Sequence, residues 1–515
     1  MAELGGPIAC IGLAVLLLAR TRRNRIAGLG YAGVGTVLLA ASLAPANAAE
    51  LGAAIGGLLV CGPLLAWLFR REPWLVAYGT LAFIPLRVGF LGHSLLVPLY
   101  AVAVGAAGLL LWEMVDGDDR TRELGIAAWP LALYLVWISF SVAWTGALHT
   151  AATDLIAFYV PFTIIAISIA RLPWRPSRIR LLYGELVAMA LVFAATAFYQ
   201  YETRTIFENA KLYTSNTYEA LFRVNSVFFD PSIYGRFLVV ALVPTVVLII
   251  RGRSVRDGVA ALVFAAIAWL GLLVSFSQSS FAALFVAVLV ASAVVWRWRA
   301  LLVLGALVVA LAGVVATQPK VRHDLTHLGS GSAAKHHRHP ATRGVKKPLG
   351  ERRHHHRAAT GLNKATGGRA TLIVVGIKIA RAHAVRGVGL GGFERAYSKR
   401  TGKTPRQSAS HATPVTVAAE EGAPGLLLYL WLVGALLLAA YRRINHAVYG
   451  TVALAAGLAL LAVFVHSLAY SDFFEDPTTW GLIGLVALVS PRRVPARAHR
   501  PVEAADQRVP AMIAR

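Results

Sequence analysis

The side chains of this sequence best suited to chemistry are cations and imidazoles beside apolar segments: Arg223, Arg369, Arg386, His411 and His466, with Glu420 and Glu421 opening one such segment. A guanidinium presents a planar fork of N–H donors that fits a phosphate in bidentate fashion, and a neutral imidazole takes up a proton near pH 7. Such a set calls for an anion at a membrane surface. Each residue also has a plainer reading. Arg223 stands among aromatics a few residues from an apolar segment, as an interface anchor or an anion ligand. Arg369 opens an amphipathic stretch at the helix end that disfavours a cation, so either an anion or water holds it. His411 is a histidine at a helix entrance, and His466 either lines a cavity or hydrogen-bonds among helices. Asp230-Pro231 reads as a helix start, with the carboxylate capping and proline in the first turn. Glu420 and Glu421 must cap, pair or work, and Glu420 suits a scaffold role, paired with a basic side chain at a cavity mouth.

The elements that must position these residues are membrane spans. Hydrophobic residues make up 57% and charged residues 15%, and the mean hydropathy is +0.63, far from a soluble domain's balance. Apolar segments fall near 4–19, 27–44, 51–69, 74–86, 95–115, 125–145, 154–170, 181–200, 234–250, 259–275, 280–296, 300–316, 413–440, 448–469 and 473–490. The expected fold is all-α, a polytopic bundle of about 12–15 transmembrane helices, with the fourth segment short and the first marginal. Every second loop is basic: Arg20 to Arg25, Arg70 and Arg71, Arg120 and Arg122, Arg171 to Arg180, Arg251 to Arg256, Arg297 and Arg299, Arg442 and Arg443, Arg492 and Arg493. Placing these in the cytoplasm puts the amino terminus, 201–233, 317–412 and 470–478 outside and the carboxyl terminus inside. The first span lacks a basic leader and a cleavage site, so it reads as retained. Cys10 and Cys61 lie in apolar spans and imply no disulfide framework.

Four regions follow: a bundle over 1–316 with an outer loop at 201–233, a large loop at 317–412, further spans over 413–490, and a disordered cytoplasmic tail over 491–515. The large loop holds 20 Lys and Arg against 3 Asp and Glu. Its 329–368 portion carries six histidines, His336, His337, His339, His354, His355 and His356, without fixed spacing or a supporting set of carboxylates. A flexible cationic insertion therefore suits it better than a metal site. Near 369–384 an apolar stripe against Lys378, Arg381 and His383 predicts a helix lying on the outer surface. The run Arg386-Gly-Val-Gly-Leu-Gly-Gly-Phe393 follows no strand, so it reads as a turn back to the membrane rather than a nucleotide loop.

Taken together these segments resemble the O-antigen ligase and polymerase superfamily of bacterial membrane glycosyltransferases. The resemblance covers about 180–490 and rests on four patterns: Arg223, Phe228, Asp230 and Pro231 before a span; Arg369, Gly387, Gly389 and Phe393 in the large loop; His411, Glu420, Gly422 and Gly425 at its close; and His466, Ser467, Asp472 and Asp476 late in the chain. Ala412 stands where the family usually has Asn, and Gln278 replaces a common Arg. The resemblance implies a GT-C-like architecture in the cytoplasmic membrane and metal-independent transfer of a glycan, without cofactor, from a polyprenyl (undecaprenyl) diphosphate donor. The acceptor would be a hydroxyl on a lipid, a glycan or a cell-wall polymer, with membrane lipids around the protein and no nucleic acid. It implies Arg223 and Arg369 as a clamp on the leaving diphosphate and His411 as general base or phosphate ligand. Arg386, Glu420 and His466 are the further substrate-binding candidates. Ligase and polymerase share this layout, and the late dominant loop favours a ligase. A transporter is the alternative of another class, and it predicts charges buried mid-span, of which these segments hold almost none away from their ends.

Overall fold

The structure is a computed structural model that describes residues 1–43, 48–90, 93–207, 209, 212–213, 216, 222–252, 254–317, 369–405 and 409–488. Each of the fifteen apolar segments contains helix. They are α1 (Ala2–Leu18), α2 (Arg22–Leu43), α3 (Ala48–Arg71), α4 (Leu75–Phe83), α5 (Val97–Val115), α6 (Ala128–Ser141), α7 and α8 (Leu148–Asp154 and Val160–Arg171), α9 (Pro176–Thr203), α10 (Pro231–Arg251), α11 (Val255–Ser275), α12 (Gln278–Trp296) and α13 (Ala300–Thr317). After the large loop come α16 (Thr413–Tyr441), α17 (Gly450–Ser467) and α18 (Pro477–Leu488). Between the two sets lie α14 (Arg369–Ala382), in the stretch expected to be amphipathic, and the short α15 (Phe393–Thr401). The His-rich 329–368 stretch and the 491–515 tail lie outside the described residues.

Among the described residues ten helices are long and apolar enough to cross a membrane, with α1 and α18 as shorter apolar helices. The protein is an all-helical, multi-pass membrane protein, apart from one small antiparallel hairpin that pairs Val88–Phe90 with His93–Leu95. The fourth segment differs from a full span. Its helix has nine residues, reaching only ~14 Å at the usual rise, and the chain continues as a turn to Arg87 before the hairpin. Helices α7 and α8 join through a wide π-type turn over Leu155–Tyr159. Pro161 brings no N–H to that junction, so the ordinary helical ladder cannot close there.

Burial sorts the helices into a centre and a periphery. In their most apolar stretches the α7–α8 helix is 78% buried, and α10 and α17 are each 67% buried, against 22% for α9 and 28% for α2 and α11. The first group forms the interior and the second faces outward. Small residues set the closest approach: Gly5 and Gly12 of α1 lie on Gly35 and Gly28 of α2, where an added Cβ would strike backbone, as is usual where membrane helices pack.

Helix α16 is broken. Gly422 has φ +70° and ψ −166°, so 413–421 and 423–441 are two helical pieces on different axes. The backbone groups freed by the break find partners: the Glu421 carbonyl accepts from Trp137 Nε1 at 2.8 Å, and Ala423 N–H donates to the Ala384 carbonyl at 2.7 Å. In an apolar setting a break survives only when such groups are satisfied. Leu372, Val375 and Ile379 of α14 pack with Phe393, Tyr397 and Ala419 as a small core of their own, so α14 is seated on the first piece of α16.

Candidate active site

The site is built at the mouths of α10, α12, α16 and α17. Asp230 caps α10 as its position predicts: its Oδ1 accepts from Ser232 N–H at 2.7 Å, with Pro231 in the first turn. The segment before it is pinned. Gln200 exchanges two 2.8 Å hydrogen bonds with the backbone of Ser226, and Phe228 packs edge-on against Phe193 at 5.2 Å. Arg223 at the start of that segment is held through its backbone by Asn216, at 3.1 Å and 2.8 Å. Its Nε donates to the Ser275 carbonyl at 3.4 Å. Arg223 is thereby placed on the tight turn that joins α11 to α12.

That turn leads directly to His466. Ser277 and Ser280 share a 2.8 Å hydroxyl contact, and Ser279 Oγ meets His466 Nε2 at 3.0 Å. His466 is fully buried, so its ring belongs to the packing of α12 on α17. Tyr470 follows it, with ring centroids 5.5 Å apart, and on its other side Tyr470 stands 6.2 Å from the ring of His411.

His411 is placed by the chain just before α16. Ser410 donates its N–H to Thr416 Oγ1 at 3.2 Å and its hydroxyl to the Ala412 carbonyl at 2.9 Å. This fixes His411 in the left-handed region at φ +65°, which a residue with a Cβ rarely occupies without a reason. Burial, and then the positive charge of Arg369 at the head of α14, push its imidazole down to about 4, opposed in part by Asp230. His411 is therefore a neutral imidazole at pH 7, within electrostatic reach of the Arg369 guanidinium. A chain of contacts thus runs at one end of the bundle from Arg223 through the α11–α12 turn, His466 and Tyr470 to His411, with Arg369 in electrostatic reach of His411.

Glu420 and Arg386 belong to the neighbouring glycine turn. The Glu420 carboxylate accepts from Phe393 N–H at 3.0 Å and its carbonyl from Gly389 N–H at 2.7 Å. It thus anchors backbone where a basic partner was expected. Gly387, at φ +67°, rests so closely on Glu420 that a Cβ would collide with its carbonyl. Arg386 has an exposed side chain, and its carbonyl accepts from Trp144 Nε1 at 3.1 Å. The turn reading of the glycine run is the one the structure has.

Arg236, one and a half turns into α10, did not stand out in the sequence. It is 3% exposed and grips Asp472 with both terminal nitrogens, one of them at 2.8 Å, while its Nε lies 2.7 Å from Asp476 Oδ2. The signal for it was a lone cation inside an apolar span together with an acidic turn elsewhere. Among the described residues no group of His, Cys, Asp and Glu is placed to hold a metal ion.

The O-antigen ligase family model matches residues 260–430, a stretch that runs from α11 through the large loop to the second piece of α16. Over that stretch the chain is similar to the O-antigen ligase family. The matched stretch contains Arg369, Arg386, His411 and Glu420, while Arg223 and His466 lie outside it. No curated protein matches the chain.

Proposed function

We propose that this protein acts as an O-antigen ligase-like enzyme, transferring a glycan from a polyprenyl diphosphate to an acceptor hydroxyl at the outer face of the cytoplasmic membrane, in cell-surface polysaccharide synthesis. The observation that carries the reading is the neutral His411 imidazole, buried within electrostatic reach of the Arg369 cation and joined to the Arg223 turn through Tyr470 and His466. In the reaction the acceptor oxygen attacks the anomeric carbon and the bond from that carbon to the diphosphate oxygen breaks. The electron pair leaves with the diphosphate, and the acceptor proton goes to His411 or to the departing phosphate. The rising negative charge on the leaving group is met by the guanidinium groups of Arg369 and Arg223, whose effect is greatest where water is excluded. A diphosphate next to His411 also offsets the Arg369 charge, which raises the affinity of the imidazole for the acceptor proton. Arg386, exposed on the neighbouring glycine turn, is the further candidate for holding the glycan, and His466 supports the site from within the packing of α12 on α17. The orientation that the basic loops imply puts this end outside, where lipid-linked glycans are presented.

The test is a transfer assay with purified protein and radiolabelled polyprenyl-diphosphate oligosaccharide in chelator, with and without an acceptor lipid fraction. Label that moves only when acceptor is present establishes the ligase-like reaction. Growth of the donor's own glycan would make the chain a polymerase. Absence of transfer by folded protein in every arm would overturn the glycosyltransferase reading and favour transport.

A further inference from the structure

The turn between α17 and α18 is tied down mainly through its acidic residues. Arg236 binds Asp472 and Asp476 together. Asp476 also accepts from Thr478 N–H at 2.8 Å, and Trp480 Nε1 donates to the Phe474 carbonyl at 2.8 Å. Every one of these anchors lies C-terminal to Tyr470. Its ring is half-buried, 5.5 Å from His466 and 6.2 Å from His411, with the Arg236 guanidinium carbon 6.0 Å from its centroid. Its carbonyl accepts from Thr413 Oγ1 at 3.4 Å, which joins the turn to the first residue of α16.

A buried ion pair is weak evidence for stability, because the desolvation of three charged groups cancels much of their attraction. Its firmer contribution is geometric. A bidentate grip plus a third contact on Nε leaves the turn one orientation. What this orientation holds in place is Tyr470, the aromatic wall that both histidines share. His411 has this ring beside it at a position where its own backbone is in the left-handed region, at φ +65°.

We infer that Tyr470 is a positioning residue, held by the Arg236–Asp472–Asp476 clamp, whose ring fixes the His411 imidazole toward the space beside Arg369. The inference rests on the glycosyl-transfer reading for its consequence and on geometry alone for its placement. Two readouts keep the two apart. In the first, the full-length protein in nanodiscs is treated with diethyl pyrocarbonate across pH 4–8, and carbethoxylation of His411 is followed by peptide mass spectrometry. Tyr470→Ala and Tyr470→Leu are expected to speed His411 modification and move its midpoint toward that of a free histidine. Tyr470→Phe, which keeps the ring, leaves it at the wild-type value. Arg236→Lys, which loses the bidentate grip, falls between. In the second, Tyr470→Leu lowers the transfer rate by about 100-fold, the scale of a small misplacement, with the donor KM little changed. Unaltered His411 modification in Tyr470→Leu would overturn the inference, and so would a loss in Tyr470→Phe equal to that in Tyr470→Leu. If wild-type protein transfers nothing, the modification profile still decides whether Tyr470 positions His411.

Discussion

At one end of the bundle Arg25, Arg120 and Arg171 meet Glu113, Asp118 and Glu123 in a closed network, with Arg171 alone contacting all three carboxylates at 2.9, 2.6 and 2.5 Å. At the other end Arg236 takes both Asp472 and Asp476, and Arg369 forms no salt bridge among the described residues. Three cations answer three anions in the first cluster. In the second the acids are committed to one structural arginine, so the charge of Arg369 is left to act on His411. The titrations carry the same contrast. Burial pushes Asp118 up, but Arg120 and Arg171 outweigh it and hold the carboxyl below its ordinary range, whereas His411 is pushed down by burial and by Arg369. Charge that is fully paired holds helices together, and charge left over near an imidazole can meet a ligand.

The comparison breaks most easily at the two arginines. Arg369→Ala is expected to cut transfer by about 1,000-fold, the upper range for losing one preorganised donor, while its thermal transition stays at the wild-type value. Arg171→Ala should do the reverse, removing about 3–5 kcal/mol of stability by stranding buried carboxylates with turnover per folded molecule unchanged. Equal melting losses in the two variants would erase the distinction between the ends. A smaller effect sharpens it. The His411 pKa lies near 4 in the fold, below the ordinary 6.5, so between those values the unfolded chain binds more protons. That contribution to stability is complete above pH 6.5 and is lost as pH falls toward 4. Denaturation midpoints measured over this window should therefore fall less steeply with acid in His411→Gln than in wild type. The smallest change is expected in Glu420→Gln, whose amide oxygen can still accept from Phe393 N–H. A loss of about 1 kcal/mol with near-normal turnover fits its place as a backbone anchor, and a collapse of transfer with an intact fold would move it into the chemistry.

Much of this architecture was legible because lipid leaves few options. Long apolar runs, the Asp230-Pro231 cap and the amphipathic pattern after Arg369 each fix a helix by local rules, and helices stand at all of those places. The glycine run was legible as a turn for the same reason. Other features depend on groups that no local pattern joins. Arg236 and Asp472 are 236 residues apart, so the sequence shows a cation in a span and an acidic turn but not their union. The break at Gly422 was signalled only by Gly and Pro424 within an apolar run, and its stability depends on Trp137 and Ala384. The short α4 read as a span because hydropathy does not say where a helix stops. Glu420 was expected to face a basic side chain. Its actual partner is a backbone N–H, which carries no signature in sequence.

The backbone of His411 has a consequence for anyone who tries to make this protein more robust. A side chain at φ +65° carries about 1–2 kcal/mol of strain that glycine would not. Heat selection applied to a mutant library, blind to activity, would therefore favour His411→Gly and reward the loss of the imidazole. Durability and function pull in opposite directions at that one position.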